Sequence, residues 1–243
     1  MMHNILSLLS LLALVGCGQA PAGAAAQPRP VKPLVVGTPA APVVVELFQS
    51  QGCSSCPPAN ANVNAIADAP GVLALSFAVT YWDRLGWKDT FGSPAWTARQ
   101  WDYARAAGRP QVATPQVIIN GGPTIVGSNR AQLEATIQRA GPAHGGPAIS
   151  ARNGTLTFAA GKGAPSTIWL VRYDPRTVEV PIRAGENGGR TLPHRNIVRE
   201  LVKLGNWSGA VTELPLPSAP RGLRSAVLVQ QGTGGPITAA RKL

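Results

Sequence analysis

Two cysteines with two residues between them, Cys53-Ser54-Ser55-Cys56, are the part of this 243-residue sequence best suited to covalent chemistry. Joined, they close a small ring that an incoming thiol opens readily by exchange. The motif follows a short apolar run, Val43–Phe48, and opens a segment patterned as a helix from about residue 54 to 69. At a helix start, unpaired N–H groups and the positive end of the dipole stabilise a thiolate. Cys53 is therefore the expected nucleophile, forming a mixed disulfide, and Cys56, deeper in the helix, is the residue that resolves it. Pro57 and Pro58 fall in or near the opening turn, where a missing N–H costs least. No Lys, Arg or His flanks the motif, so the helix end must supply most of the activation. An inert staple is the structural alternative, and two thiolates also suit Cu(I).

The elements that must hold these cysteines alternate. Val43–Phe48 and Val72–Val79 read as strands buried on both faces. Val63, Ile66 and Ala67 line one side of the first helix. Ser93-Pro94 caps a second helix that stops at Gly108. Gln116–Asn120 is a third strand, and Asn120-Gly121-Gly122-Pro123 turns the chain into Thr124-Ile125-Val126 as a hairpin. Ser128 caps a last helix, with Leu133 and Ile137 facing inward and Gly141 ending it. The order strand, helix, strand, helix, strand, strand, helix makes a small α/β unit with a mixed sheet over 43–141.

Five of the seven residues in 141–147 are Gly or Pro, and a domain boundary is expected there. Residues 148–243 carry short β-type segments between Gly/Pro turns, at 155–159, 167–173, 178–183, 211–214 and 224–230; residues 194–204 fit either strand or helix. A mostly β, sandwich-like second domain is predicted.

Thr114-Pro115 stands immediately before the third strand. With a CxxC at the start of the first helix and this element order, the chain resembles the thioredoxin fold. That resemblance implies a cis Pro115 beside the cysteines and a Thr114 whose backbone receives substrate. It also bears on Glu46, the only charge in the Val43–Phe48 strand. A lone buried carboxylate costs several kcal/mol, on the order of 3–5, unless it is paired or protonated. By resemblance Glu46 lies beneath the cysteines and accepts the proton of Cys56; the alternative is that it reaches the sheet edge or pairs with an arginine such as Arg84. The chain departs from the family in a long stretch between Cys56 and Pro115. Seven of the thirteen aromatics lie between Tyr81 and Tyr103, so this insertion is either an apolar lip for substrate, with Tyr81, Trp82, Trp87 and Gln116 as contacts, or a small core of its own.

Longer phrases, Val45–Pro58, Tyr81–Asp83, Leu85–Asp89, Thr114–Gln116 and Gly185–Asn196, are similar to a narrower family of exported bacterial thioredoxin-like proteins, which supplies no substrate. The resemblance implies a cell-envelope thiol–disulfide oxidoreductase acting on protein thiols and disulfides, with the Cys53–Cys56 pair in place of a cofactor and no metal. Direction is set by the potential of the dithiol and its partner. Two alternatives stand beside it. One is a copper-handling module: thioredoxin-like copper chaperones carry a CxxxC and a distant histidine, whereas here the spacer is shorter, His144 lies in the linker and His194 in the other domain. A scaffolding lipoprotein would use its β domain to bind an envelope partner.

The apolar run Ile5–Val15 is too short to span a bilayer and has the length of a signal-peptide core. It ends Leu14-Val15-Gly16-Cys17, which resembles a bacterial lipobox. That implies removal of residues 1–16, lipid on Cys17, and export to the periplasmic side of the cell membrane or outer membrane. Residues 17–42, rich in Ala and Pro, read as a tether. The net charge of +11 is concentrated in 147–243, where thirteen Lys/Arg oppose five Asp/Glu. Anionic envelope surfaces fit an exported basic face better than nucleic acid, for which no motif is present, and a simple solvated surface is the alternative. With 44% hydrophobic and 14% charged residues, a disordered chain is excluded.

Overall fold

In the computed structural model, which describes residue 34 and residues 36–243, the first apolar run forms β1 (Val43–Gln49), every residue of it buried. Thirteen strands, three α-helices and one short 3-10 helix (Asp83–Leu85, between β2 and α2) are described, the strands and α-helices in the order β1, α1 (Pro57–Ala65), β2 (Val72–Ala78), α2 (Pro94–Ala106), β3 (Gln116–Ile119), β4 (Thr124–Ile125), α3 (Arg130–Ala140), β5 (Ile149–Arg152), β6 (Thr155–Phe158), β7 (Ser166–Asp174), β8 (Val178–Pro181), β9 (Thr191–His194), β10 (Ile197–Trp207), β11 (Thr212–Pro215), β12 (Arg224–Gln231) and β13 (Ile237–Lys242).

Residues 43–141 fold in the predicted order. β1 pairs in parallel with β2 and antiparallel with β3, so both edges of β1 are covered and its side chains meet apolar layers above and below. Val43, Val45 and Leu47 pack with Val63 of α1 and with Leu133 and Ile137 of α3. Val44 and Phe48 point the other way, toward Trp96 and Tyr103 of α2. Ser93 caps α2 by accepting from the Ala95 amide. The cap of α3 is Asn129, whose side chain accepts from the Gln132 amide, not Ser128.

The second domain is a correction. Residues 148–243 do not close a separate sandwich-like core. Four of their strands extend the first sheet into one of eight strands, in the order β13-β12-β7-β10-β2-β1-β3-β4. The joint is narrow: Ile197 of β10 lies opposite Ser76 of β2, the Ser76 amide donates to the Asn196 carbonyl, and the Asn196 side chain donates to the Ala74 carbonyl. The apolar layer nonetheless runs across it, since Val171, Tyr173, Val198, Ala226 and Leu228 pack in the same cluster as Phe48, Phe77 and Trp96. The far edge returns to the first strands, where the Ile237 amide donates to the Asn120 carbonyl at 2.9 Å. Alternation along β7 and β12 sends Ile168, Leu170, Val227 and Val229 to the opposite face, where the three-stranded sheet β11-β6-β5 covers them around Trp207. Only that part stacks sheet on sheet. The segment around 194–204 is strand, with β9 and β10 meeting at the left-handed Asn196. β5, β9 and β13 were not anticipated. β13 (Ile-Thr-Ala-Ala-Arg-Lys) shows why, for its small residues give little apolar signal and are buried by their place in the sheet.

One turn fastens this extension to α2. Gly234, between β12 and β13, has φ +71, and a Cβ there would collide with the backbone at Asp102 and Tyr103. Only glycine allows both the left-handed conformation and the contact.

Candidate active site

β1 ends in the loop Ser50-Gln51-Gly52, which delivers Cys53 ahead of α1. The Cys53 amide donates to the Ser50 carbonyl, and the Cys56 amide donates to the Cys53 carbonyl at 3.2 Å. Cys56 is the N-cap of α1, and Pro57 and Pro58 occupy its first positions. The helix thus begins later than predicted. Cys53 sits one turn before it and not at its start, and Cys56 stands at its mouth. Two adjacent prolines explain this: each lacks an N–H and is tolerated at the first helical turn, not inside it.

Both cysteines are free, and neither exposes any surface. The Cys53 sulfur lies 3.2 Å from Ser55 Oγ and 3.8 Å from the Thr114 carbonyl oxygen. Its pKa is lowered to about 6, chiefly because the Cys56 thiol donates to it, with further help from Ser55 and Thr114 against the cost of burial. Cys56 is pushed well up, first by burial and then by the neighbouring thiolate. Two thiols in contact that share one remaining proton titrate as a pair. Thr114-Pro115 is a cis peptide and lies across from the cysteines.

The insertion braces this loop more than it lines it. Trp82 Nε1 donates to Thr114 Oγ1 at 2.7 Å, and Trp87 Nε1 donates to Gln51 Oε1 at 2.9 Å. Tyr81 is half-buried, its hydroxyl on Gln100 Oε1. Gln116 accepts from Gln100 Nε2 and donates to Thr124 Oγ1. The four proposed substrate contacts therefore have their polar ends in structural use. Asp89 completes the brace: its carboxylate accepts from the Gln51 amide at 2.7 Å and the Phe91 amide at 2.8 Å. Burial raises its pKa to about 6.

Glu46 takes the arginine-paired alternative. It is wholly buried, but its carboxylate accepts from Arg99 Nε at 2.8 Å and from the Tyr103 hydroxyl. Among the described residues neither thiol hydrogen-bonds to a carboxylate. The partner is Arg99 of α2, not Arg84, because Glu46 points to the α2 side of the sheet with Val44 and Phe48.

Two residues not singled out from sequence come from the loop before β9. Asn187, fully buried, donates to the carbonyls of Gln51 and Cys53, and the exposed Glu186 accepts from Ser54. Their only sequence signal was the Gly185–Asn196 phrase, which gave no role. His194 is buried against Phe91, and His144 touches the Pro142 carbonyl. No group of three or more His, Cys, Asp or Glu side chains with metal-binding geometry occurs among the described residues. Cys17 lies outside the described residues.

The free CxxC at the mouth of α1, opposite a cis-proline at the start of β3, makes a thioredoxin-like arrangement. A family model described as "Protein of unknown function (DUF1223)" matches residues 44–230. Among solved structures, AGR_C_4864 from Agrobacterium tumefaciens is 28% identical with a TM-score of 0.71, covering 85% of this chain and 94% of that one. HBP35 of Porphyromonas gingivalis is 14% identical with a TM-score of 0.54, covering 85% and 76% respectively; at that identity the likeness concerns the fold alone. No curated protein matches.

Proposed function

The chain belongs to the DUF1223 family, and we propose that it is a thiol–disulfide oxidoreductase working through Cys53 and Cys56. The observation that carries this reading is the placement of the Cys53 sulfur, within reach of Ser55, Thr114 and the Cys56 thiol, beside the cis-proline loop. Acting as a reductant, the Cys53 thiolate attacks one sulfur of a substrate disulfide. The substrate S–S bond breaks, a mixed disulfide forms on Cys53, and the departing thiolate takes a proton. Cys56 then loses its proton and attacks the Cys53 sulfur, expelling the second substrate thiol. The substrate gains two electrons and two protons, and the protein ends as the Cys53–Cys56 disulfide. Run backwards, the same steps oxidise a substrate dithiol.

A redox titration of the protein, with metal analysis in parallel, tests this reading. A reversible two-electron couple in metal-free protein supports it, whereas stoichiometric Cu(I) binding without exchange would overturn it. Alkylation of Cys53 should rise about tenfold per pH unit up to its midpoint near 6 and then level off. A midpoint near the ordinary thiol value of about 8.5 would remove the activation.

We further propose export and lipid attachment at Cys17, supported by the Leu14-Val15-Gly16-Cys17 phrase after an apolar run. Intact-mass analysis should find the mature chain beginning at an acylated Cys17; an unmodified start elsewhere would exclude the anchor.

A further inference from the structure

The nucleophile of a CxxC centre must be reachable, yet Cys53 has no exposed surface. Part of what encloses its loop comes from the far end of the sequence. Asn187 places one side-chain amide between two carbonyls, donating to Gln51 O at 2.9 Å and Cys53 O at 2.8 Å. Its own Oδ1 accepts from Arg190 at 2.8 Å. Both amide protons and the oxygen are thus used, and the backbone on either side of Gly52 is tied to a single buried group. Glu186, one residue earlier, accepts from the Ser54 amide at 3.0 Å and from Ser54 Oγ at 2.7 Å. The turn that carries both rests on the insertion: Gly185 has φ +73, and a Cβ on it would stand 3.2 Å from the Trp87 Cβ.

We propose that Asn187 and Glu186 are positioning residues of the cysteine centre, acting on Cys53 in opposite directions. The inference rests on the exchange reading. Asn187 holds the Cys53 sulfur where Ser55, Thr114 and Cys56 meet it, and so favours the thiolate. Glu186 takes the N–H of Ser54, the residue that follows Cys53, and sets a negative charge on that side of the motif, and so disfavours it. The other charged groups on this segment are Asp89, at the Gln51 amide, and Arg190, at Asn187. Asn187 thereby keeps the loop in register while Cys53 exchanges.

The test is a thiolate titration of Cys53, by ultraviolet absorbance and by the alkylation rate at pH 6, in the parent, Glu186→Gln, Asn187→Ala and Asn187→Asp. Glu186→Gln should raise the thiolate-to-thiol ratio about two- to fivefold, the size of a helix-end charge effect, and make the couple more oxidising. The Asn187 variants should lower that ratio about tenfold, as expected for two lost hydrogen bonds. Asn187→Asp keeps the acceptor for Arg190, and the exposed Glu186→Gln carries the test if Asn187→Ala fails to fold. Titrations equal to the parent in folded variants, or shifts of one sign at both positions, would overturn the proposal. Absence of any redox couple in the parent would instead overturn the exchange reading.

Discussion

Cys56→Ser should turn a transient exchange into a stable covalent complex through Cys53, and Cys53→Ser should abolish exchange. The effect of the second change is large because a serine hydroxyl at neutral pH is a far poorer nucleophile than a thiolate, and a loss of at least about a thousandfold is expected. The assignment follows from the surroundings of the two sulfurs. Cys53 is the one within reach of Ser55 Oγ and the Thr114 carbonyl beside the cis-proline. Cys56 is raised by burial at the mouth of α1 and gives up its proton only once Cys53 is tied in a mixed disulfide. Mass spectrometry of the trapped species locates the bond. If Cys56→Ala stops the first attack while the fold stays intact, the roles are reversed.

Arg99→Ala should destabilise the molecule by about 3–5 kcal/mol, the usual cost of leaving a buried charge without its partner. Arg99 is nearly wholly buried, with its guanidinium on Glu46, Gln230 and Tyr103 and against the rings of Phe77 and Tyr103. It therefore joins β1, α2 and β12. At this chain length the midpoint of thermal unfolding should fall by about 10 °C. Glu46→Gln separates the two readings of the acid. If Glu46 belongs to this ion pair, the variant loses stability and keeps the relative rates of attack and release. A selective slowing of release would return Glu46 to the role of proton acceptor. An Arg99→Ala protein as stable as its parent would show that the pair contributes nothing.

How much was legible depended on whether the information was local. β1, β2 and the caps of α2 were readable because short apolar runs and Ser-Pro carry their own signal. The late start of α1 was not: Pro57 and Pro58 were rightly placed in the opening turn, but the helix was begun at about residue 54 instead of at Pro57 itself. Glu46 was recognisable as a buried charge, but its partner lies 53 positions away and depends on which face of the sheet it meets. The Gly185–Asn196 phrase was visible as a phrase, and only the fold shows Asn187 beneath the cysteine loop. The boundary expected at 141–147 failed for a physical reason. A Gly/Pro-rich connection breaks the chain's regular structure without breaking the sheet, because strand pairing can resume after any turn.

The narrow joint at Ser76 and Ile197 also bears on the order in which the chain can become itself. A ribosome delivers β2 more than a hundred residues before the strand that will lie against its outer edge. During that interval β2 offers unpaired N–H and C=O groups, and the apolar side of Phe48, Phe77 and Trp96 lacks the residues of β7, β10 and β12 that later cover it. An open edge beside an uncovered apolar face is the state most prone to wrong association. Asn187 and β10 arrive together, late, so the hold that Asn187 adds to the nucleophile's loop comes after the one that Trp87 and Asp89 already give it.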